Sequence, residues 1–149
     1  MQACLSLVLV VGVGCVPPPT PVPPTATPSN DITDIVWQWT SVTTKPTGET
    51  TTVSDPQNYT STFRNDGTLS GKADCNNFTG TYSQASGFSI KLGASTMAAC
   101  PEGSLDQQYL QLLSSVAAGG PDGQGNLALE TAGGEQRMLF KNGGAAPAQ

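Results

Sequence analysis

The side chains with the most chemistry in them are four cysteines, at positions 4, 15, 75 and 100, in a chain that contains no histidine. Without imidazole, neither a Ser-His-Asp nor a Cys-His arrangement can be assembled within the chain. The common zinc sites built on His are excluded as well. Cys75 and Cys100 alone offer too few ligands for a metal, so no metal site and no cofactor are expected. A reactive thiol needs a cation or base beside it. Lys72 is the basic residue close to Cys75 in sequence, but alternation along residues 68–75, "TLSGKADC", places Leu69, Gly71, Ala73 and Cys75 on one face and Ser70, Lys72 and Asp74 on the other. What remains is a disulfide or two buried free thiols, and an exported domain meets oxidant, which favours the Cys75–Cys100 disulfide. Closing a loop of this size contributes roughly 3–4 kcal/mol in the chain-entropy description.

Other residues are candidates for contact rather than catalysis. Asn76 and Asn77 follow Cys75 and are expected to turn the chain and cap its backbone groups, with a polar contact to a ligand or partner as the alternative. Trp37 and Trp39 are expected in the core first and as a ligand or partner platform second. The segment "PDGQGN" at 121–126 lacks the carboxylates of a calcium loop and is read as a plain loop. "NYT" at 58 and "NFT" at 77 match glycosylation acceptors and are read as incidental.

The cysteines at 4 and 15 belong to a different region. All charged side chains lie from Asp31 onward. Residues 1–14 hold an apolar run about a dozen residues long, shorter than the roughly 20 that a membrane-spanning helix needs, and suited to the apolar core of a signal peptide. Gly12-Val13-Gly14 directly before Cys15 looks like a bacterial lipobox, in which small side chains precede the thiol that takes the lipid. Gly12 stands where a larger aliphatic is usual, and the leader carries no Lys or Arg. Residues 16–30 are nearly half proline. Proline lacks an N–H and fixes φ, so the stretch is expected to be an extended spacer, reaching roughly 45 Å if fully drawn out. The expected organisation is a signal peptide at 1–14, a lipid-anchored Pro/Thr-rich linker at 15–30, a folded domain at 31–141 and a disordered tail at 142–149. Cys15 would tie the protein to a membrane as an exported protein, on the outer side of the cytoplasmic membrane, in the periplasm or at the cell surface.

Within the domain, alternation of apolar and polar residues predicts strands. Ile35, Trp37 and Trp39 share a face, as do Tyr59, Ser61 and Phe63, then Phe78, Gly80 and Tyr82, then Phe88, Ile90 and Leu92. Asn65-Asp66-Gly67 and Ser86-Gly87 are turns. "LALE" and "RMLFK" form a last hairpin around Gly133-Gly134. Residues 40–59 read as a long loop with a short strand near Thr51–Val53. One segment breaks the period. Leu105, Tyr109, Leu112, Leu113 and Val116 recur at three and four residues, which predicts one helix with a single apolar face. Ser104 and Gln107 suggest a capping box at its start, and Gly119-Gly120 suggests its end.

Taken together, "VWQWTSV" at 36–42, "GTLSGKADCNNFTGTYS" at 67–83 and "STMAACPEGSLDQQYLQLLSSV" at 95–116 resemble the META domain family, whose members include HslJ-like heat-shock-inducible envelope lipoproteins. The resemblance covers residues 34–141. Asp74 stands where glycine is typical, and Met97-Ala98 where an arginine often follows the threonine. The resemblance implies an α+β, mostly β fold: a small, strongly bent antiparallel sheet, a partly open barrel, packed on one α-helix. It implies no reaction.

A net charge of −5 argues against nucleic acid, because phosphate binding needs clustered cations, and against a polybasic membrane patch. The expected function is a non-enzymatic envelope lipoprotein that serves as an accessory or stress-related binding module for an envelope protein or small ligand. One alternative is a small-molecule or lipid carrier with a cavity lined by Trp37, Phe63, Phe78 and Tyr82. Another is an inhibitor or partner of an envelope enzyme acting through an exposed loop such as 43–57.

Overall fold

The computed structural model describes residues 31–148, so the signal peptide, Cys15 and the linker lie outside the described residues. Nine strands form one antiparallel sheet: β1 (Ile35–Thr44), β2 (Glu49–Thr52), β3 (Tyr59–Phe63), β4 (Thr68–Ala73), β5 (Asn76–Ser83), β6 (Ser89–Ser95), β7 (Val116–Pro121), β8 (Leu127–Thr131) and β9 (Gln136–Ala145). Among the described residues a single α-helix, α1 (Asp106–Ser114), follows β6. The spatial order is β6-β5-β4-β3-β1-β9-β8-β7, with β2 paired to the far half of β1. The sheet curls into a half-barrel whose two outer edges meet at one backbone bond, from the N–H of Phe88, just before β6, to the Ala117 carbonyl of β7 at 3.1 Å.

The alternating residues line the inside as their spacing predicts. Trp37, Trp39, Tyr59, Ser61, Phe63, Leu69, Ala73, Phe78, Phe88 and Ile90 are all buried. On β1 a bulge at Thr40 shifts the register against β9, so that Trp39 faces Phe140 while Ser41 faces Leu139. The extra residue reverses the alternation and brings Val42 into the core. It also lets the Trp39 indole N–H donate to the Ser41 carbonyl at 2.9 Å.

Tight curling needs missing side chains. A Cβ at Gly71 would lie 2.0 Å from the Thr60 carbonyl oxygen and 2.5 Å from the Phe78 ring. Gly71 therefore sits where β3 and the Phe78 ring close over the backbone of β4.

The helix lays Tyr109, Leu112 and Leu113 into the open side of the curl. Tyr109 is completely buried. Its ring stacks on Trp39 with centroids 5.0 Å apart and meets Tyr59 edge-on at 5.8 Å. Its hydroxyl shares a 2.7 Å hydrogen bond with Ser61 Oγ. Burial pushes the phenol well above its usual range, with the Ser61 bond acting in the opposite direction.

The ends of the helix differ from the sequence reading. No Ser104–Gln107 capping box forms. The helix starts at Asp106, where Ser104 Oγ accepts the Asp106 N–H at 3.2 Å and the Tyr59 hydroxyl accepts the Leu105 N–H at 2.9 Å. It stops at Ser114, well before Gly119-Gly120. Ser114 Oγ and Ser115 Oγ both donate to the Gln111 carbonyl, at 2.8 and 2.9 Å, and so draw on the last turn. Val116 and the glycines belong instead to β7, paired with β8. Three further boundaries move. Asp74-Cys75, rather than Asn76-Asn77, makes the β4–β5 turn, with Ala73 opposite Asn76. The loop expected at 40–59 is mostly a β1–β2 hairpin and a 3-10 turn over Pro56–Asn58. Residues 142–145, expected in a disordered tail, extend β9 as far as the Ile35–Ala145 pair.

Three aspartates hold turns by accepting hydrogen bonds. Asp31 accepts from the Thr33 hydroxyl and N–H, Asp66 from those of Thr68, and Asp122 from the Asn126 side chain and the N–H groups of Gln124 and Asn126. In each case the side-chain partner is the main cause that lowers the carboxyl pKa below its ordinary value. A folded-state pKa below the unfolded one, about 3.9 for Asp, means that the contribution is full above that value and is lost as pH falls through the folded one.

Two outcomes are expected. Gly71→Val should destabilise the domain by about 2–3 kcal/mol, read as a lower midpoint in urea at unchanged slope. An acid titration should show the melting temperature falling between about pH 5 and pH 2, and a flat profile there would remove the turn aspartates as contributors.

Candidate functional site

A concavity lies at the end of the half-barrel where β3 begins and the β4–β5 turn projects. It is a groove of about 290 Å³ built from three pieces of chain. One wall is Val53, Ser54 and Asp55, which lead into the Pro56–Asn58 turn. The second is the β4–β5 turn at Asp74. The third is Pro101–Leu105, the stretch that leads into α1. Asp55, Asp74 and Glu102 are the charged residues of the lining, so the groove is acidic. Tyr59 forms part of the floor, and its hydroxyl holds the third wall through Leu105.

The sequence at the β4–β5 turn explains its shape. Asp74 has φ of +55°, a left-handed conformation that short polar residues tolerate and glycine prefers. Asp74, standing where the family resemblance implies glycine, therefore meets a backbone demand that glycine would also meet. The Asp74 N–H donates to the Asn58 carbonyl at 2.7 Å, and Lys72 Nζ donates to Asn58 Oδ1 at 2.9 Å, so the turn is tied to the first wall.

Cys75 and Cys100 form a disulfide with their Cα atoms 5.5 Å apart. It ties the β4–β5 turn to the stretch before α1, each cysteine standing next in sequence to a residue of the groove, Asp74 and Pro101. Cys75 is exposed and Cys100 half-buried. Beside it, Asn76 is buried and engaged on all sides by the chain itself. Its Oδ1 accepts from the Ala98 N–H at 2.8 Å and the Thr96 hydroxyl at 3.0 Å, and its Nδ2 donates to the Ala98 carbonyl at 3.1 Å. The expected turn and contact residue is thus an internal clamp on residues 96–98. Nothing in its sequence context other than adjacency to Cys75 signals that role. Asn77 is exposed on β5, where its N–H donates to Thr96 Oγ1 at 2.9 Å. Trp37 and Trp39 are in the core and offer no surface platform. No pattern in residue order marks Asp55 and Glu102 as neighbours, because only the fold brings their loops together. Among the described residues, no cluster of three or more His, Cys, Asp or Glu side chains could hold a metal ion.

A curled antiparallel half-barrel plugged by one helix, with a disulfide stapling the central hairpin to the helix approach, defines a small β-rich domain with a solid interior. The sequence matches the META domain over residues 30–144, and the chain belongs to the META domain family. An NMR structure of a protein from Burkholderia xenovorans is similar, with a TM-score of 0.60 and 23% identity over 87% of this chain and 94% of that one. A crystal structure of a DUF4847 family protein from Bacteroides vulgatus has a TM-score of 0.52 and 15% identity, over 79% of this chain and 96% of that one. At these identities both likenesses show the fold alone. No curated protein matches the chain.

The disulfide should contribute measurably without being required for folding. Reduction is expected to lower stability by about 3–4 kcal/mol while the far-UV circular dichroism spectrum keeps its β signature. Complete unfolding on reduction at 25 °C would show that the core cannot stand without the staple.

Proposed function

We propose that this protein is an exported, non-catalytic accessory protein of the bacterial envelope, anchored by a lipid on Cys15, that displays its META domain as a stress-related binding module for an envelope protein. The observation that carries this reading is the filled interior. A carrier would need room between Trp37, Phe63, Phe78 and Tyr82. Instead Phe63 packs edge-on against Tyr82 at 4.8 Å, and Phe78 against Tyr109 at 6.1 Å, all around the plugging helix. Contact with a partner then falls to the surface, where the acidic groove offers a concavity built from three separate pieces of chain.

The placement of the groove supports a tethered display. Asp34, close to the linker in sequence, donates its N–H to the Phe63 carbonyl at the last residue of β3. The groove includes Tyr59, the first residue of the same strand. An anchor on residues 15–30 would therefore join the domain at the end away from the groove. The 43–57 region considered as an inhibitory loop contributes Val53–Asp55 to this same surface, so an envelope enzyme is one kind of partner that it could meet.

The test uses the full-length chain in a bacterial host fed a labelled fatty acid, followed by cross-linking of the envelope. Wild type should carry the label and Cys15→Ala should lose it. Processed wild type without label would sink the anchor. Glu102→Lys combined with Asp55→Lys should stay folded, keep the label and lose the cross-linked partner, whereas an unchanged cross-link pattern would move the contact away from the groove.

A further inference from the structure

We propose that the Cys75–Cys100 disulfide is a thiol-exchange site that is attacked at Cys75, and that small cationic thiols are its preferred reactants. Three observations converge on it. Cys75 is the exposed residue of a two-residue turn, while Cys100 is half-buried. Exchange requires an attacking thiolate to reach one sulfur, so access selects Cys75. The groove beside the turn carries Asp55, Asp74 and Glu102 against one neighbouring cation, Lys72, which is bound to Asn58 of the lining, and this excess of negative charge raises the local concentration of cations and repels anionic thiols.

The third observation concerns the sulfur that leaves. Asn76 Nδ2 lies 3.3 Å from Cys100 Sγ. Its two hydrogens serve three acceptors, the Ala98 carbonyl at 3.1 Å, Cys100 Sγ, and Asp106 Oδ2 at 3.4 Å. A thiolate at Cys100 accepts more strongly than a disulfide sulfur, so the amide stabilises that anion as it forms. Attack in the opposite sense would release a thiolate at Cys75, next in sequence to Asp74, with its sulfur 3.7 Å from the Ala98 carbonyl oxygen. Both groups disfavour negative charge there, with no donor among the described residues to offset them; the carboxylate near Cys100, Asp106, is held on the same Asn76 amide that donates to the sulfur. The step is balanced: the incoming thiolate bonds to Cys75 Sγ, the Cys75–Cys100 bond breaks, and its electron pair leaves on Cys100, which takes a proton from water.

The consequence is local. After exchange, residues 96–98 stay clamped by Asn76, and Leu105 stays bonded to the Tyr59 hydroxyl. Only 99–104, which includes most of the third wall of the groove, loses its tie to the β4–β5 turn. Covalent modification of Cys75 would thus loosen one wall of the groove while the core remains assembled.

The experiment treats the oxidised protein with cysteamine, quenches with acid, alkylates free thiols and maps the peptides. The cysteamine adduct should be found on Cys75 at least about tenfold more often than on Cys100, with unchanged far-UV circular dichroism. Mercaptoacetate, an anionic thiol, should react more slowly once its thiolate fraction is accounted for. Adduct on Cys100, an even split, reaction only after unfolding in urea, or loss of the β signature on adduct formation would each overturn the proposal.

Discussion

Tyr109 is where the helix and the sheet become one core. A tyrosine ring brings a large apolar area into the interior, but its hydroxyl must find a partner there or incur the full cost of desolvation. Ser61 is that partner, from the middle of β3. The pair fixes how deeply α1 enters the curl and at which turn. Trp39, Tyr59, Phe78 and Phe140 then pack around the same ring. Once α1 is held there, the approach to it over Pro101–Leu105 must pass across the end of the half-barrel. The third wall of the groove, and the place where Cys100 meets Cys75, follow from a contact buried in the core.

The curvature of the sheet answers the same demand. A flat sheet of this order could not surround a helix; it must coil, and bulges and glycines are how strands coil. Gly71 lets one strand close on another, and the Thr40 bulge turns β1 so that both of its halves face inward. The outer strands then approach each other closely enough for a single backbone bond. The remainder of the gap is filled by the helix.

Much of this was legible in residue order, and the parts that were not have physical reasons. Alternation located the inward faces of β1, β3, β4, β5 and β6, because each faces one solid core and one solvent. The spacing of Tyr109, Leu112 and Leu113 located the helix for the same reason. β7 escaped because Val116-Ala117-Ala118-Gly119-Gly120 has almost no strand propensity of its own, and it becomes a strand through pairing with β8. Val42 escaped because a bulge leaves no mark on composition. The turn was placed two residues late because Asp74 supplies a conformation that glycine would have announced. Asn76 looked like a turn residue, yet it is a clamp, since its partners at 96 and 98 lie twenty or more residues away and only the fold joins them. The staple was the most readable feature of the site: two thiols, no histidine and an expected export leave few other fates.

The two edges of the domain also leave from one place. Ala146 donates its N–H to the Asp34 carbonyl at 2.9 Å, and Arg64 grips both sides of the junction, with Nη1 on Asp34 at 2.7 Å and Nη2 on the Pro147 carbonyl at 2.8 Å. A fold whose first and last strands are hydrogen-bonded neighbours is, mechanically, a loop with a short neck. It can be spliced into a surface turn of another protein with little distortion of either, and it can be circularly permuted by joining the neck and opening a distant turn. A load applied between its two ends would be borne by the junction of β1 and β9 and by the guanidinium of Arg64 before it reached the ring cluster around Tyr109.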